Sequence, residues 1–298
     1  LVYVDDLLII MKHPHEAMTQ IKEDFTVKPS SIEEPKCYLG ADVGKVYYSD
    51  GTYAWTMGAE TYTTQAIKNL KERMSKEGYE YNKKLSDVNY APQQPFSTLK
   101  YRSEMDVSDE CSSSQTQFFQ NLIGILRWTV EIGRIDIAYE VSILSRYLSQ
   151  PRTGHLVQAL HIFKYLDVHK SNELAFDPAY HDVEDPQLVQ ARIDAMKEMY
   201  PDAVEDLPPN APPPRGNPVE MNTFVDSDHA GDKVTRRSQT GILLYLNSAP
   251  IIWYSKRQNT VESSTFGSEF VALRVASELI ISLRYKLRMF GIPIIGPT

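Results

Sequence analysis

The chain has little cysteine, no long apolar run and no methionine at its start. Two cysteines in 298 residues, Cys37 and Cys111, are too few for a disulfide framework or a zinc cluster. They fit a reducing compartment and read as packed thiols. No uninterrupted apolar stretch is long enough to cross a bilayer, and no secretory leader is visible. Membrane and secreted classes are therefore not predicted, and an intracellular setting is. Residue 1 is Leu and stands inside an apolar run, which reads as a piece of a longer polypeptide. Bases are also in deficit: 31 Lys and Arg against 39 Asp and Glu give a net charge of −8. Such a balance argues at first against a polyanionic partner. Its distribution weakens that objection. Ten acids and three bases lie between Asp177 and Glu220, so this segment carries −7 of the −8. The rest of the chain is near neutral and keeps local basic strips such as Lys233-Val-Thr-Arg236-Arg237 and Arg284-Tyr-Lys286-Leu-Arg288.

What the sequence does have begins at once. Leu1-Val2-Tyr3-Val4-Asp5-Asp6-Leu7-Leu8-Ile9-Ile10 sets two aspartates between two β-rich apolar runs. Asp5-Asp6 is then expected in a hairpin turn. Adjacent carboxylates repel, and a hard divalent cation such as Mg²⁺ relieves them. A lone Asp-Asp is most often a solvated turn; Tyr-x-Asp-Asp framed by apolar strands is much rarer.

Along the chain, helical spacing predicts a helix from about Pro14 to Asp24 and another from about Ala59 to Lys76. Between them, Cys37 to Val43 reads as a strand that continues through Lys45 to Tyr48, and Ser49-Asp-Gly-Thr52 as a turn before a strand at Tyr53 to Met57. A helical block starts near Ser114, with Ser114 and Gln117 as a capping box. It resumes as one helix from Ile135 to Leu148 and as another from about His155 to His169, the set packing as antiparallel helices. The acidic segment reads as an inserted helix, about Pro186 to Met199, and a Pro-rich linker. Three strands follow, near Thr223 to Val225, Thr240 to Asn247 and Ile251 to Lys256, with Ser248-Ala-Pro250 as a turn; a long helix from about Ser264 to Phe290 comes after them. The fold class is α+β or α/β. Asp226 ends the first of these strands and Glu269 lies near the start of the helix. A helix packed across the sheet can bring the two acids together as a metal site, although each is also favoured locally.

The motifs of this last segment resemble the ribonuclease H domain of copia-type LTR retrotransposon polyproteins. They are Phe224-Val-Asp226-Ser-Asp228-His-Ala-Gly231-Asp232, Arg236-Arg-Ser-Gln-Thr-Gly241, Trp253-Tyr-Ser-Lys-Arg-Gln258, and Glu262-Ser-Ser-Thr265 with Ser268-Glu-Phe270. Upstream, Tyr3-Val-Asp5-Asp6 resembles the polymerase motif of reverse transcriptases, and Tyr38-Leu39-Gly40 the primer-contacting hairpin after it. Tyr101-Arg-Ser103, Asp136-Ile-Ala-Tyr139 and Leu144-Ser-Arg146 match the family's helical block. The resemblance covers nearly everything but the acidic insert. Phe270, Gly267, His229 and Ile135 depart from the residues usual in the family.

The resemblance implies four regions. Residues 1–98 are the end of a polymerase palm and start of its thumb, and 99–176 a helical thumb or connection region. Residues 177–220 are the insert, and 221–298 a ribonuclease H-like mixed sheet with a long helix, truncated at its C-terminus. It implies Asp5 and Asp6 as polymerase metal ligands, Asp226 and Glu269 as catalytic metal ligands of the nuclease, and Tyr3, Leu39 and Gly40 as nucleic-acid contacts. The cofactor is Mg²⁺ or Mn²⁺. The partners are an RNA–DNA hybrid and a template–primer duplex, with dNTPs for the parent polymerase and no membrane. A cytoplasmic virus-like particle is the expected setting of the parent element. One further polymerase aspartate upstream and one further nuclease carboxylate downstream belong to the family pattern and are not in this sequence. The isolated piece is therefore expected to be inactive. A non-enzymatic remnant or duplex-binding module, and a stand-alone ribonuclease H-like nuclease, are the alternatives.

Overall fold

A computed structural model describes residues 2–3, 6–9, 13–28, 32–77, 91–97, 101–180, 186–202, 205, 207–296 and 298. Its first pair of strands, β1 (Val2–Tyr3) and β2 (Asp6–Leu7), is antiparallel, with Tyr3 opposite Asp6. Asp6 thus opens the returning strand instead of lying in the turn, and Asp5 falls outside the described residues. Helix α1 (Pro14–Asp24) follows, with Pro14 in its first turn, where a missing N–H costs nothing.

The first large sheet runs β3 (Cys37–Tyr38), β4 (Ala41–Tyr47), β5 (Tyr53–Gly58) and β6 (Glu173–Phe176), each antiparallel to its neighbour. The single strand expected from Cys37 to Val43 is broken by Leu39 and Gly40, which form a two-residue turn. Strand β6 comes from the far side of the helical block and pairs with Trp55 to Gly58. Residues 173–176 therefore complete a sheet whose other strands all lie before residue 59.

The helical block comprises α2 (Glu60–Glu77), α3 (Ser113–Glu131), α4 (Ala138–Leu144) and α5 (Thr153–Val168). The capping box sits two residues before its expected place. Ser112 Oγ accepts from the Gln115 amide (3.3 Å), and Gln115 Oε1 accepts from the Ser112 amide (2.8 Å). The helix expected over 135–148 is α4 flanked by 3-10 turns at Ile135–Ile137 and Ser145–Tyr147. Phe118, Phe119, Ile123, Leu126, Leu144 and Ile162 form the centre of a core shared by all four helices.

Helix α6 (Pro186–Met199) stands where the inserted helix was expected. The linker after it is tied down by one acid. Glu205 accepts from Arg284 Nε (3.1 Å) and Nη2 (3.0 Å) and from Arg288 Nη2 (2.6 Å). The Arg284 hydrogen bonds, chiefly, lower its pKa from 4.5 to about 2. A depressed carboxylate stabilises the fold above its unfolded pKa, and the contribution fades as pH falls through 4.5 toward 2. With part of the group open to solvent screening, about 1–2 kcal/mol is expected to be lost across that window. Urea titrations at pH 6 and pH 3 on Glu205→Gln should show a shallower decline than the unsubstituted chain. An equal decline would remove Glu205 from the account.

The second large sheet has the order β10-β7-β8-β9, from β7 (Val219–Asp228), β8 (Gln239–Leu246), β9 (Ala249–Arg257) and β10 (Ile294–Ile295). Pro250 lies in edge strand β9, a place that tolerates its missing donor, while Asn247 and Ser248 make the turn. Helix α7 (Thr265–Met289) is capped by Ser264, whose Oγ accepts from the Gly267 amide. It covers one face of the sheet, where Leu287, Leu283 and Ile280 meet Met221, Leu244 and Ile252. After it, β10 pairs parallel with β7, Ile294 beside Val219. The fold is mixed α/β and compatible with a ribonuclease H-like arrangement. Among the described residues no helix is long and apolar enough to cross a membrane.

Candidate functional site

Strand alternation decides where the acids point. Met221, Thr223, Val225 and Ser227 of β7 pair across to Leu246, Leu244, Ile242 and Thr240 of β8, and this row faces α7. Phe224, Asp226 and Asp228 lie on the other face. That face is turned toward the helical block. There Trp253 Nε1 donates to the Val130 carbonyl (3.1 Å) and Gln239 Nε2 donates to Ser142 Oγ (3.0 Å). Asp226 and Asp228 are both exposed, two residues apart on one row.

Glu269 is half-buried in the N-terminal part of α7. The beginning of this helix lies at the Asp226 end of the sheet. Ser268 Oγ is 3.3 Å from His229 Nδ1, and Gln258 Nε2 donates both to the Ser268 carbonyl (2.9 Å) and to Thr240 Oγ1 (3.0 Å). The structure thus brings the N-terminal turns of α7 to the end of β7 that bears Asp226. Asp226 emerges on the face that α7 does not cover. Hard carboxylate oxygens suit Mg²⁺ or Mn²⁺. Among the described residues, however, no group of three or more His, Cys, Asp or Glu gathers around one point. Asp226 and Glu269 would be the carboxylates available to such an ion, with water and substrate phosphate as its other ligands.

Other residues of the same motifs have structural work. Asp232 is buried, with its side chain 2% exposed, and takes Arg257 Nη1 at 3.1 Å and Arg146 Nη1 at 3.5 Å. Burial pushes its pKa up; hydrogen bonds from Thr235 and Arg257 outweigh that and hold it below the usual range. Arg146 also reaches Gln239 Oε1. These contacts join the helical block to the second sheet. A Cβ at Gly231 would fall 1.6 Å from Asp228 Oδ2, so a side chain there would push the Asp228 carboxylate from its present position.

A cleft of about 380 Å³ opens between the helical block and the Asp228 end of β7. Arg102, Glu104, Tyr139, Glu140 and Asp228 are among the residues lining it. Burial, with a smaller push from Asp136, raises the Glu140 pKa from 4.5 to about 7. In the sequence, Arg102, Tyr139 and Arg146 stand out only as parts of matched motifs, and Glu140 does not stand out at all. Their signal is spatial.

Of the polymerase-like residues, Tyr3 and Asp6 face one another in backbone register, and Leu39 and Gly40 have φ of +52° and +84°. Both turn residues lie in the left-handed region, as a two-residue hairpin of this hand demands. Leu39 is strained there by about 1–2 kcal/mol, and such strain collects where a loop is held for function.

The chain resembles known proteins along its full length. It is 23% identical over 300 residues to the retrovirus-related Pol polyprotein from transposon RE1 of Arabidopsis thaliana, covering 100% of this chain and 16% of that protein. A transposon Ty5-1 protein of Saccharomyces cerevisiae is 22% identical over 283 residues, 95% of this chain and 72% of its own. This is a retrotransposon Pol-related protein. It spans about a sixth of the length of the RE1 polyprotein. The secreted RxLR effector protein 161 of Plasmopara viticola is 24% identical over 170 residues, 57% of this chain and 94% of the effector. No protein-family model matches the chain, and no solved structure does.

Proposed function

We propose that this Pol-related chain is the piece that joins the end of a reverse transcriptase to the start of its ribonuclease H domain. Residues 1–98 would be the end of the palm and start of the thumb, 99–176 the thumb or connection helices, 177–220 an insert, and 221–298 the nuclease sheet. The observation that carries this reading is the second sheet. Its motif-bearing strand β7 lies between antiparallel β8 and parallel β10, and the first turns of α7 meet the end of this strand through Ser268 and His229. In the parent, Asp5 and Asp6 would hold metal for RNA-directed DNA synthesis, and Asp226 and Glu269 for hydrolysis of RNA in an RNA–DNA hybrid. Tyr3, Leu39 and Gly40 would touch the template–primer duplex. Mg²⁺ or Mn²⁺ would be the cofactor and dNTPs the substrates.

In isolation the chain is expected to do neither reaction, because each metal site has only two of its acids. The prediction for polymerisation is no template-dependent dNTP incorporation in a primer-extension assay with Mg²⁺ or Mn²⁺. Incorporation that Asp5→Asn abolishes would sink the fragment reading. A non-enzymatic binding module is the second reading, favoured by the lack of a three-acid cluster among the described residues.

A further inference from the structure

We infer that the cleft between the helical block and β7 takes one nucleobase of a single-stranded nucleic acid, with Tyr139 as its stacking surface and the Lys233–Arg237 turn on the adjoining phosphates. This rests on the reading that nucleic acid passes Asp226.

The walls narrow the ligand. About 380 Å³ is the size of a small-ligand site. Glu104, Glu140 and Asp228 against Arg102 make it a poor home for a free phosphate or other anion. The wall is mixed, with Phe96, Ile143 and Tyr139 beside the charged groups, which suits a guest with an apolar face and a polar edge; no three-acid cluster is present among the described residues to hold a metal ion. A flat molecule that presents N–H groups to carboxylates remains, and the edges of cytosine, adenine and guanine do this through their amino groups. Tyr139 supplies the flat face: its side chain lines the cleft and is 42% exposed. Base–aromatic stacking of this kind is the main device of single-strand binding.

The phosphates have a place beside it. The Lys233 amide donates to Glu104 Oε1 at 3.1 Å, which fixes the 233–237 turn at the rim. Lys233 and Arg236 are exposed. Arg236 is held at φ +57° with its amide on the Asp232 carbonyl (2.8 Å), so the turn keeps a conformation that a non-glycine residue adopts at a cost. A base in the cleft would thus have its backbone over two free-standing cations, on the face that carries Asp226 and Asp228.

The test is fluorescence anisotropy of the whole chain with labelled oligo(dC) and oligo(dT) of twelve nucleotides, in EDTA at low salt. Cytosine has the amino group and thymine lacks it. Oligo(dC) should bind several-fold more tightly than oligo(dT). Tyr139→Ala should weaken oligo(dC) binding roughly tenfold, and Asp228→Asn should erase the preference. Lys233→Ser with Arg236→Ser should weaken both oligomers alike and flatten the salt dependence. These positions are surface-exposed, so unchanged far-UV circular dichroism confirms folding. Equal binding of the two oligomers, no binding of either, or indifference to Tyr139→Ala overturns the inference. Because no metal is present, loss of the nuclease reading leaves this result standing, and the reverse also holds.

Discussion

Replacing Arg134 with methionine is expected to lower the unfolding free energy by about 2 kcal/mol, less than for a fully buried ion pair because Asp136 keeps contact with solvent. The side chain of Arg134 is 1% exposed. Its Nε donates to Asp136 Oδ1 (2.9 Å) and its Nη2 to Oδ2 (2.7 Å), a two-pronged bond across one short turn. Tyr165 of α5 donates its hydroxyl to the same carboxylate (2.9 Å), and the guanidinium lies over the Tyr165 ring. Burial alone pushes the Asp136 pKa up; Arg134 and Tyr165 outweigh it and keep the acid below the usual range. Methionine fills much of the volume but leaves Asp136 charged and half-enclosed. The turn has no slack to absorb this. Gly133 sits at φ +112° with its missing Cβ 3.2 Å from the Met57 carbonyl, so α3 and β5 are already in close contact there. Arg134→Met with Asp136→Leu removes both charges and should recover part of the loss. Urea denaturation reads both, provided m is unchanged. A loss below about 1 kcal/mol for the single variant would mark the pair as an ordinary surface bridge.

Arg134 also shows where sequence reasoning stops. The long helices were legible because apolar residues recur three and four apart. Tyr62, Ala66, Leu70 and Met74 place α2 to within a residue. The stretch from Ile135 to Leu148 has the same spacing, yet the chain breaks it into a short helix between two 3-10 turns. The Arg134–Asp136 bond tightens its start, and Ser145 Oγ bonds back to the Val141 carbonyl (2.6 Å) at its end. Both are side-chain choices that periodicity does not register. Strands β6 and β10 were missed for a different reason. Four residues and two residues carry no alternation of their own; each is a strand only because a partner lies beside it. At the candidate site, the residue types and their order were legible, and the facing was not. Met221 and Asp226 differ in parity, so burying Met221 under α7 commits Asp226 to the other face. Only packing reveals that the helical block, with Tyr139 and Glu140, forms the wall opposite.

Extending the chain past Thr298 by the strand and helices that the ribonuclease H reading requires is expected to produce hydrolysis of an RNA–DNA hybrid. The register of β10 supplies the argument. Ile294 and Ile295 run parallel to Val219 and Glu220. Gly296, at φ +61°, bends the chain out of this two-residue ladder, so a later strand has to take up the pairing beside β7 at the level of Asp226. A carboxylate near that point would join Asp226 and Glu269, which supply only two acids by themselves. Helix α7 argues the same way. Among the described residues, Phe266, Phe270, Leu273, Ile281 and Tyr285 form an exposed apolar stripe along it, the kind of surface that packing covers. Strands and helices packed on this face and beyond β10 would bury it and close an open sheet edge. The extended protein should cleave the hybrid with Mg²⁺ or Mn²⁺, and Glu269→Gln should reduce the rate by roughly 10²-fold or more, the scale of losing one electrostatic stabiliser in an active site. Asp226→Asn should do the same. If the extended protein folds and still leaves the hybrid intact across divalent metal concentrations, the nuclease assignment fails. If it cleaves but is indifferent to Glu269→Gln, the acids have been misassigned and the activity belongs to other residues.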